Sequence, residues 1–224
     1  MRREIITTDD GSKTIHIPDW NEQYHSTHGA IQEAIHVYIK HGLTFFSTSE
    51  GYKNSSEISI LEIGFGTGLN AFLTAIKAKD LNLNCNYVGV EGYPIIKEEL
   101  DALNYTKILK YTSIFNAIHA STWETKCAIT KHFKLQKQEK QFLDITEDNQ
   151  FDVVYFDAFG PRVQPELWTE NVFKIIYKTM KQNGVMVTYC AQGHARRAMM
   201  SVGFVVTKLE GPPGKRHMLR AVKQ

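Results

Sequence analysis

The stretch Ile60-Leu-Glu-Ile-Gly-Phe-Gly-Thr-Gly-Leu-Asn70 decides the fold of this chain. An apolar run leads directly into glycines at positions 64, 66 and 68, and helix-forming residues follow them. Glycine tolerates positive φ and lets a ligand approach the backbone, while the start of a helix presents unpaired N–H groups. The stretch therefore predicts a strand, a nucleotide-cofactor loop and a helix that begins at Leu69.

The spacing of the glycines favours one class of cofactor. A dinucleotide fingerprint reads G-x-G-x-x-G or A, but counting from Gly64 and Gly66 places Leu69 where the third small residue should stand. The chain instead reads Glu62-x-Gly-x-Gly-x-Gly68, which resembles motif I of the class I S-adenosylmethionine-dependent methyltransferases. A carboxylate before the first glycine suits a cofactor that carries a cation. The cofactor-binding residues predicted in this segment are Glu62, Gly64, Gly66, Gly68 and Asn70.

Acidic residues also end two other predicted strands. Glu91 closes Asn86–Glu91, 23 residues after Gly68, where a carboxylate accepts hydrogen bonds from ribose hydroxyls. Glu91 therefore supports an adenosine cofactor without separating NAD from S-adenosylmethionine. Asp157 closes the apolar strand Asp152–Asp157, and the carboxyl ends of neighbouring parallel strands meet at one crevice. We expect Asp157 to be either an active-site carboxylate or a loop-bracing aspartate.

The composition of the chain limits its architecture and its compartment. A length of 224 residues fits one large α/β domain, which buries about 70% of its unfolded surface. A net charge of +2 indicates no general affinity for nucleic acid, so a basic surface must be local. The three cysteines form no C-x-x-C pair, and no apolar run reaches the length of a membrane span. We expect a cytoplasmic protein.

The order of predicted elements indicates a doubly wound α/β fold. Glu4–Thr8 and Lys13–Ile17 predict a β-hairpin, and a helix over 29–41, capped by Ser26 or Thr27 and stopped by Gly42, follows. We take 1–55 as an N-terminal extension of hairpin plus helix, packed on a methyltransferase domain at 56–224. In that domain the predicted strands are 58–63, 86–91, 152–157 and 185–190, and the predicted helices are 69 onward, 95–103 and 165–180. Lys131–Lys140 is interpreted as a charged insertion without a pattern.

The end of the chain predicts a different connection. Phe204–Leu209 and His217–Val222 are strand-like, and the loop between them is too short for a helical crossover. The sheet should therefore carry an antiparallel last strand, as Rossmann-like class I methyltransferases do and NAD-type sheets normally do not.

Four segments make the resemblance more specific. These segments are Asp152-Val-Val-Tyr-Phe-Asp-Ala-Phe-Gly-Pro161, Pro165-Glu-Leu-Trp168, Ala195-Arg-Arg197 and Gly214-Lys-Arg-His-Met218. Together they resemble the tRNA methyltransferase domain of the MnmC or MnmD family, from about Tyr24 to the C-terminus. The resemblance implies methylation of the 5-aminomethyl group of wobble uridine (U34), giving 5-methylaminomethyl-(2-thio)uridine. It also implies S-adenosyl-L-methionine as cofactor, the tRNA anticodon stem-loop as partner, and a separate FAD-dependent or other enzyme that supplies the aminomethyl precursor.

Two loops depart from the family pattern. The family often has Asp-Gly-Phe-Ala-Pro where this chain has Asp157-Ala-Phe-Gly-Pro161, and Gly-Phe-Gly-Arg-Lys-Arg-Glu-Met where this chain has Gly211-Pro-Pro-Gly-Lys-Arg-His-Met218. The aspartate and the basic pair are retained, but loop shape and one polar contact at His217 differ.

The chemistry implied by the resemblance requires a neutral amine. An alkylamine like that of lysine has a pKa near 10.4, so only about one molecule in 10³ is neutral at pH 7. Asp157 would accept an N–H hydrogen bond, aim the lone pair and stabilise the developing charge. A carboxylate with an ordinary pKa is a poor base for an ammonium, so orientation is the role expected of Asp157.

Further residues have weaker sequence signals. Asp144 follows a strand-like run, where methyltransferases place an acid on the adenine amino group, although a plain loop acid is equally consistent with the pattern. For RNA, the aromatic candidates are Phe159, Trp168 and Tyr189, and the basic candidates are Arg196, Arg197, Lys208, Lys215, Arg216 and Arg220. The nine histidines have no metal-binding spacing, so we expect no metal site.

Two other functions are consistent with the same pattern. A methyltransferase or aminopropyltransferase that acts on a small amine would use the same fold and the same acidic strand ends. A non-catalytic RNA-binding scaffold would retain the fold without turnover. The basic C-terminal cluster opposes the first alternative, and the glycines with Glu91 and Asp157 oppose the second.

Overall fold

The computed structural model describes residues 2–50, 52 and 56–224. The N-terminal strands are β1 (Glu4–Thr7), β2 (Lys13–Ile17) and β3 (Glu22–Gln23), which form an antiparallel sheet of their own. The strands of the main sheet are β4 (Ile58–Ile63), β5 (Cys85–Glu91), β6 (Cys127–Thr130), β7 (Phe133–Glu139), β8 (Phe151–Phe156), β9 (Met180–Thr188), β10 (Phe204–Glu210) and β11 (His217–Lys223). The α-helices are α1 (Ala30–Ala34), α2 (Phe45–Ser47), α3 (Leu69–Leu81), α4 (Lys97–Ala102), α5 (Tyr105–Leu109), α6 (Thr112–Ala120), α7 (Glu170–Thr179) and α8 (Gly193–Ser201).

The main sheet has the predicted doubly wound order. Its strands run β10-β11-β9-β8-β4-β5-β7-β6, and the five strands from β9 to β7 are parallel. The chain proceeds from β4 toward β5 and β7, then returns to the other side of β4 with β8 and β9. The order therefore reverses between β4 and β8, which is where open α/β sheets bind ligands.

The hydrophobic residues form one core on each face of the sheet. One core includes α3, α6 and the helix that precedes β4, with Phe72 and Tyr155 among its fully buried side chains. The other lies under α7 and α8 and contains Phe156, Trp168 and Phe173. β8 is buried along its whole length because it is central and covered on both faces.

The predicted antiparallel end of the sheet is confirmed. β11 pairs antiparallel with both β9 and β10, and Gly211-Pro-Pro-Gly-Lys-Arg216 connects β10 to β11. β6, at the opposite edge, is also antiparallel to its neighbour β7, which the sequence pattern did not predict.

The N-terminal hairpin is confirmed, but the helix after it differs from the prediction. Its first part, α1, continues into a π-helical segment Ile35–Thr44 and then α2, so Gly42 lies inside the helix and does not end it. Neither Ser26 nor Thr27 caps α1, because Gly29 is the N-cap residue and Asp10 of the hairpin turn accepts the backbone N–H of Gln32. The expected domain boundary involves residue 55, which lies outside the described residues, so that division stays a prediction.

The interpretation of Lys131–Lys140 as a patternless insertion was wrong. Phe133–Glu139 is β7, a parallel strand paired with β5 along its whole length. Its buried positions alternate as Phe133, Leu135 and Lys137. The strand was missed because a buried lysine occupies the third apolar position of the alternation.

The segment from Pro165 to Cys190 also divides differently. A short 3-10 helix, Pro165–Trp168, precedes α7. The helix α7 ends at Thr179, and β9 begins at the next residue, Met180. Asn183 has a φ of +63° within a register irregularity between β8 and β9. The Asn183-Gly184 pair therefore belongs to a bulge in a strand and does not stop the helix.

Among the helices in the described ranges, none has both the length and the apolar character that crossing a bilayer requires.

Candidate functional site

A cavity of about 860 Å³ opens where the strand order reverses. The carboxyl ends of β4, β5 and β8 form its floor, through Gly64, Glu91 and Asp157. Residues of the N-terminal extension, including Trp20 and Tyr24, form another wall. Its size lies within the range of natural small-molecule sites, which is roughly 300–1,000 Å³.

The glycine loop brings backbone close to both neighbouring strands. Gly64 has a φ of +90°, and a Cβ atom there would lie 2.6 Å from the carbonyl oxygen of Asp157. The N–H of Gly66 donates to Glu91 at 2.8 Å, so the predicted ribose acid also braces the loop. Gly68 is the N-cap residue of α3, which begins at Leu69 as predicted. The loop is therefore packed so tightly that a side chain at position 64 would displace the segment that carries Asp157.

Asp157 lies at the cavity with both carboxylate oxygens hydrogen-bonded. The hydroxyl of Tyr38 donates to Oδ1 at 2.5 Å, and Nδ2 of Asn70 donates to Oδ2 at 2.8 Å. Burial raises the pKa of Asp157 to about 7, although the hydrogen bond from Tyr38 opposes the rise. The orienting role expected of Asp157 assumed an ordinary carboxylate pKa, and burial instead makes this carboxylate a stronger base than an exposed aspartate.

Glu62 lies beneath this arrangement and is fully buried. Its Oε1 accepts a hydrogen bond from Nδ2 of Asn70 at 2.9 Å, so Asn70 joins Glu62 to Asp157. Burial raises the pKa of Glu62 well above its usual range, and the nearby hydroxyl of Tyr87 opposes that rise. Oε2 of Glu62 and the Tyr87 hydroxyl have no hydrogen-bond partner among the described residues. Glu62 therefore reaches the cavity through Asn70, because its own carboxyl has no exposed surface.

A charged pair stands beside Asp157. Lys215 forms an ion pair with Glu33, which is 5% exposed, and the ammonium also lies 3.8 Å from the ring centroid of Tyr189. The charge of Glu33 raises the pKa of Asp157, and the charge of Lys215 lowers it. Lys215 is thus held by Glu33 and Tyr189, next to the cavity lining, and its contact with RNA phosphate stays a prediction.

The predicted aromatic candidates separate into core and cavity residues. Phe159 lines the cavity, with Trp20 and Tyr24 packed edge-on against it at centroid distances of 5.6 and 5.1 Å. Tyr189 also lines the cavity, and its hydroxyl donates to the carbonyl oxygen of Ala158. Trp168 is only 2% exposed and packs in the core, with its indole N–H donated to the carbonyl oxygen of Phe159. Its contacts support Phe159 from behind.

Asp144 is exposed and lies outside the cavity lining. The residues just before it, Gln141, Phe142 and Leu143, line the cavity instead. The adenine role assigned to Asp144 therefore stays a prediction that its position does not support.

The basic candidates outside the cavity are exposed. Arg196 and Arg197 lie on α8, Lys208 lies on the edge strand β10, and Arg216 lies in the loop before β11. Arg220 differs, because its guanidinium lies 3.5 Å from the ring centroid of Phe45.

Several site residues carried no sequence signal of their own. Tyr38, Trp20 and Tyr24 belong to the N-terminal extension and stand more than a hundred positions before Asp157. The family resemblance, which begins at about Tyr24, includes Tyr24 and Tyr38 but gave neither of them a role. Within the described ranges, no cluster of three or more His, Cys, Asp or Glu side chains has metal-binding geometry.

Comparison with known proteins identifies relatives of this arrangement. A family model described as S-adenosyl-L-methionine-dependent methyltransferase matches residues 105–224. A protein of Burkholderia thailandensis, named tRNA 5-methylaminomethyl-2-thiouridine biosynthesis bifunctional protein MnmC, is 28% identical over 229 residues, covering 96% of this chain and 34% of the relative. The protein of the same name from Burkholderia pseudomallei is 29% identical over 238 residues. The chain thus spans about a third of the length of these relatives.

Solved structures show the same fold. MNMC2 from Aquifex aeolicus is 25% identical, with a TM-score of 0.82 over 100% of this chain and 70% of that one. Spermidine synthase from Thermotoga maritima is 14% identical, with a TM-score of 0.54 over 98% of this chain and 72% of that one, a likeness of fold alone.

Proposed function

Because this chain belongs to the S-adenosyl-L-methionine-dependent methyltransferase family, we propose that it methylates the 5-aminomethyl nitrogen of wobble uridine in tRNA. The names of its relatives and the four matching sequence segments support that substrate. The observation that carries the proposal is Asp157, a carboxylate with a pKa of about 7 at the cavity beside the glycine loop. An amine acceptor needs a base of this kind, which an acceptor that is already neutral would not.

The cavity fits the cofactor of the family. The Gly64–Thr67 backbone and Glu91 line it. At Gly64 the backbone of the loop packs directly against the backbone of Asp157, which leaves no room for a side chain. Glu91 would take the ribose hydroxyls, and Asn70, with the buried Glu62 behind it, would face the cationic amino end. S-adenosyl-L-methionine supplies an electrophilic methyl group on a sulfonium.

Asp157 has the position and the pKa to prepare the acceptor amine. The expected gap between a carboxylate near pKa 4 and an ammonium near 10.4 is about 6 units, and the raised pKa of Asp157 reduces it to about 3. Tyr38 and Asn70 hold one lone pair of each oxygen, so the remaining lone pairs are free to accept an N–H of the substrate. Asp157 would orient the amine, accept its proton and stabilise the positive charge that develops on nitrogen.

The exposed basic residues would contact the RNA backbone. Arg196, Arg197, Lys208 and Arg216 keep their charges in solvent, where Arg and Lys neutralise phosphates and give salt-sensitive affinity. We further propose that the anticodon stem-loop lies across α8 and the β10–β11 loop, and that a separate enzyme supplies the aminomethyl precursor.

Nucleoside mass spectrometry tests the proposed function. Transfer RNA that carries 5-aminomethyluridine is incubated with the protein and S-adenosyl-L-methionine, then digested to nucleosides. We expect the gain of one methyl group at that nucleoside only. Cofactor binding without any methyl gain on the RNA would overturn the proposal, and methylation of a free alkylamine in the same assay would indicate a small-amine enzyme instead.

The pH dependence of the reaction tests the charges around Asp157. We expect kcat/KM to rise with pH through an ionisation near 7, because Asp157 must be deprotonated to serve the amine. Lys215→Met removes the cation that lowers the pKa of Asp157 and leaves Glu33, so this ionisation should move up by about one pH unit. Lys178→Met, which removes an exposed lysine paired with Asp148, is the control and should leave the profile unchanged. A profile with the same inflection in Lys215→Met would contradict the assignment to Asp157.

A further inference from the structure

Three aromatic side chains, two of them in contact with the third, line one wall of the cavity. Trp20 and Tyr24 come from the N-terminal extension, and each packs its ring edge-on against Phe159 of the loop after β8. All three are half-buried and line the cavity. This set, which we call the aromatic wall, leaves part of each ring available to a ligand.

The aromatic wall is adjacent to the carboxylate that serves the amine. Phe159 follows Asp157 by two residues, so their Cα atoms are at most about 7 Å apart. Tyr24 stands between Phe159 and the cofactor loop, because a Cβ atom on Gly66 would lie 3.2 Å from its ring. The wall therefore lies next to the reacting groups, on the side of the cavity that the extension covers.

Arg162 joins the two parts of the aromatic wall. Its guanidinium donates to the carbonyl oxygens of Trp20 and Asn21 at 3.0 and 2.8 Å, and to Oε2 of Glu22 at 3.0 Å. Asn21 has a φ of +46°, so this turn is one that a side-chain contact helps to hold. Arg162 lies just after the Asp157–Pro161 loop, and its contacts fix the extension to the loop that carries Phe159. An exposed arginine with three hydrogen bonds to another segment has a positioning role rather than a phosphate-binding one.

Arg3 holds the outer end of the wall. Its guanidinium donates to Glu99 and to the carbonyl oxygen of Tyr93, both at 3.0 Å, and lies 5.8 Å from the ring centroid of Tyr24. The extension is thus fixed to both sides of the cavity, by Arg3 to the segment after β5 and by Arg162 to the segment after β8.

We propose that the aromatic wall receives an unstacked pyrimidine base, and that Arg162 is the positioning residue that builds the wall. This inference rests on the proposed function. Enzymes that modify a base inside RNA take it out of its stack and place it against aromatic rings, which carry the stacking energy that the base has lost. The wall gives this chain such a surface within reach of Asp157.

Kinetics with an anticodon stem-loop RNA that carries 5-aminomethyluridine tests the wall. Trp20→Leu and Phe159→Leu should each raise KM for the RNA by roughly 5- to 150-fold, because stacking contributes that range of affinity per base. Trp20→Phe retains a stacking ring and should recover most of the loss. The dissociation constant for S-adenosyl-L-methionine, measured by calorimetry, should stay within about twofold of the unsubstituted protein. An unchanged KM in both leucine variants would overturn the proposal that the aromatic wall receives the base.

Arg162 is tested in the same assay. Arg162→Ala should raise KM for the RNA with little change in cofactor affinity, whereas Arg162→Lys should recover only part of it because an ammonium lacks the planar fork that reaches three acceptors. Arg2→Ala is the matched control, since Arg2 belongs to the extension but its ion pair with Glu4 is largely exposed. Equal KM values for Arg162→Ala and Arg2→Ala would overturn the positioning role.

The same assay separates this proposal from the proposed function. If the unsubstituted protein does not methylate the RNA, the proposed function itself fails. If it does and the variants match it, only the proposal about the aromatic wall fails.

Discussion

Asp157→Asn is expected to lower the rate of methyl transfer to 5-aminomethyluridine by roughly 10²- to 10⁴-fold, the usual contribution of a positioned general base. The amide cannot accept a proton and does not stabilise a developing ammonium as a carboxylate does. The fold should tolerate the change. Tyr38 still has an oxygen to donate to, whereas the new amide nitrogen faces Nδ2 of Asn70, so the hydrogen bond to Asn70 is lost unless the Asn70 amide turns its carbonyl oxygen toward it.

The measurement is single-turnover methylation followed by nucleoside mass spectrometry, with the cofactor dissociation constant determined on the same samples. Asp148→Asn is the matched control, because it makes the same chemical change at an exposed aspartate paired with Lys178. Retention of more than about a tenth of the rate in Asp157→Asn would show that the amine reaches its free-base form without this carboxylate.

The sequence was informative where function depends on local backbone. The Gly64–Gly68 loop, Glu91 at the end of β5 and Asp157 at the end of β8 were predictable because parallel strands bring their carboxyl ends together. The edge hairpin of β10 and β11 was predictable because its loop is too short for any other connection.

Contacts between distant segments were not predictable from the same patterns. Tyr38 meets Asp157 across 119 positions, from a π-helical segment whose hydrogen bonding differs from the α-helical spacing expected there. The pKa of Asp157 is set by burial and by the charge of Glu33, which raise it, and by the charge of Lys215, which lowers it, and none of these is a property of the loop sequence. β7 was not predicted because Lys137 occupies a buried position of its alternating pattern, where a lysine normally indicates a surface residue.

Several carboxyl groups lie at or behind the cavity: Asp157 and Glu91 line it, and Glu62 and Glu33 are buried. Burial raises the pKa of both Asp157 and Glu62; the charges of Asp157 and Glu91 add to the rise at Glu62, and the charge of Glu33 adds to the rise at Asp157. Such an arrangement opposes ionisation in the free protein, so a ligand that brings positive charge is favoured over a neutral one. Both a sulfonium cofactor with an amino group and an alkylammonium acceptor have that property.

Gly64→Ala is expected to lower the free energy of unfolding by about 2–4 kcal/mol and to reduce methyl transfer at least about 100-fold. Two effects add at this position: the φ of +90° is unfavourable for alanine, and the new Cβ atom would meet the backbone carbonyl of Asp157 at 2.6 Å. Because that obstacle is backbone, the clash can be relieved only by moving the segment that carries the carboxylate, and about an ångström of displacement there removes the alignment that the amine needs.

Gly11→Ala isolates the first effect, since Gly11 has a φ of +79° with nothing within 4 Å of the added atom. It should lower the free energy of unfolding by about 1 kcal/mol and leave the rate unchanged. Denaturant unfolding and single-turnover rates of both variants are the measurements. Equal losses of stability and equal rates in the two would mean that the close approach of Gly64 to Asp157 does not set the geometry of the site.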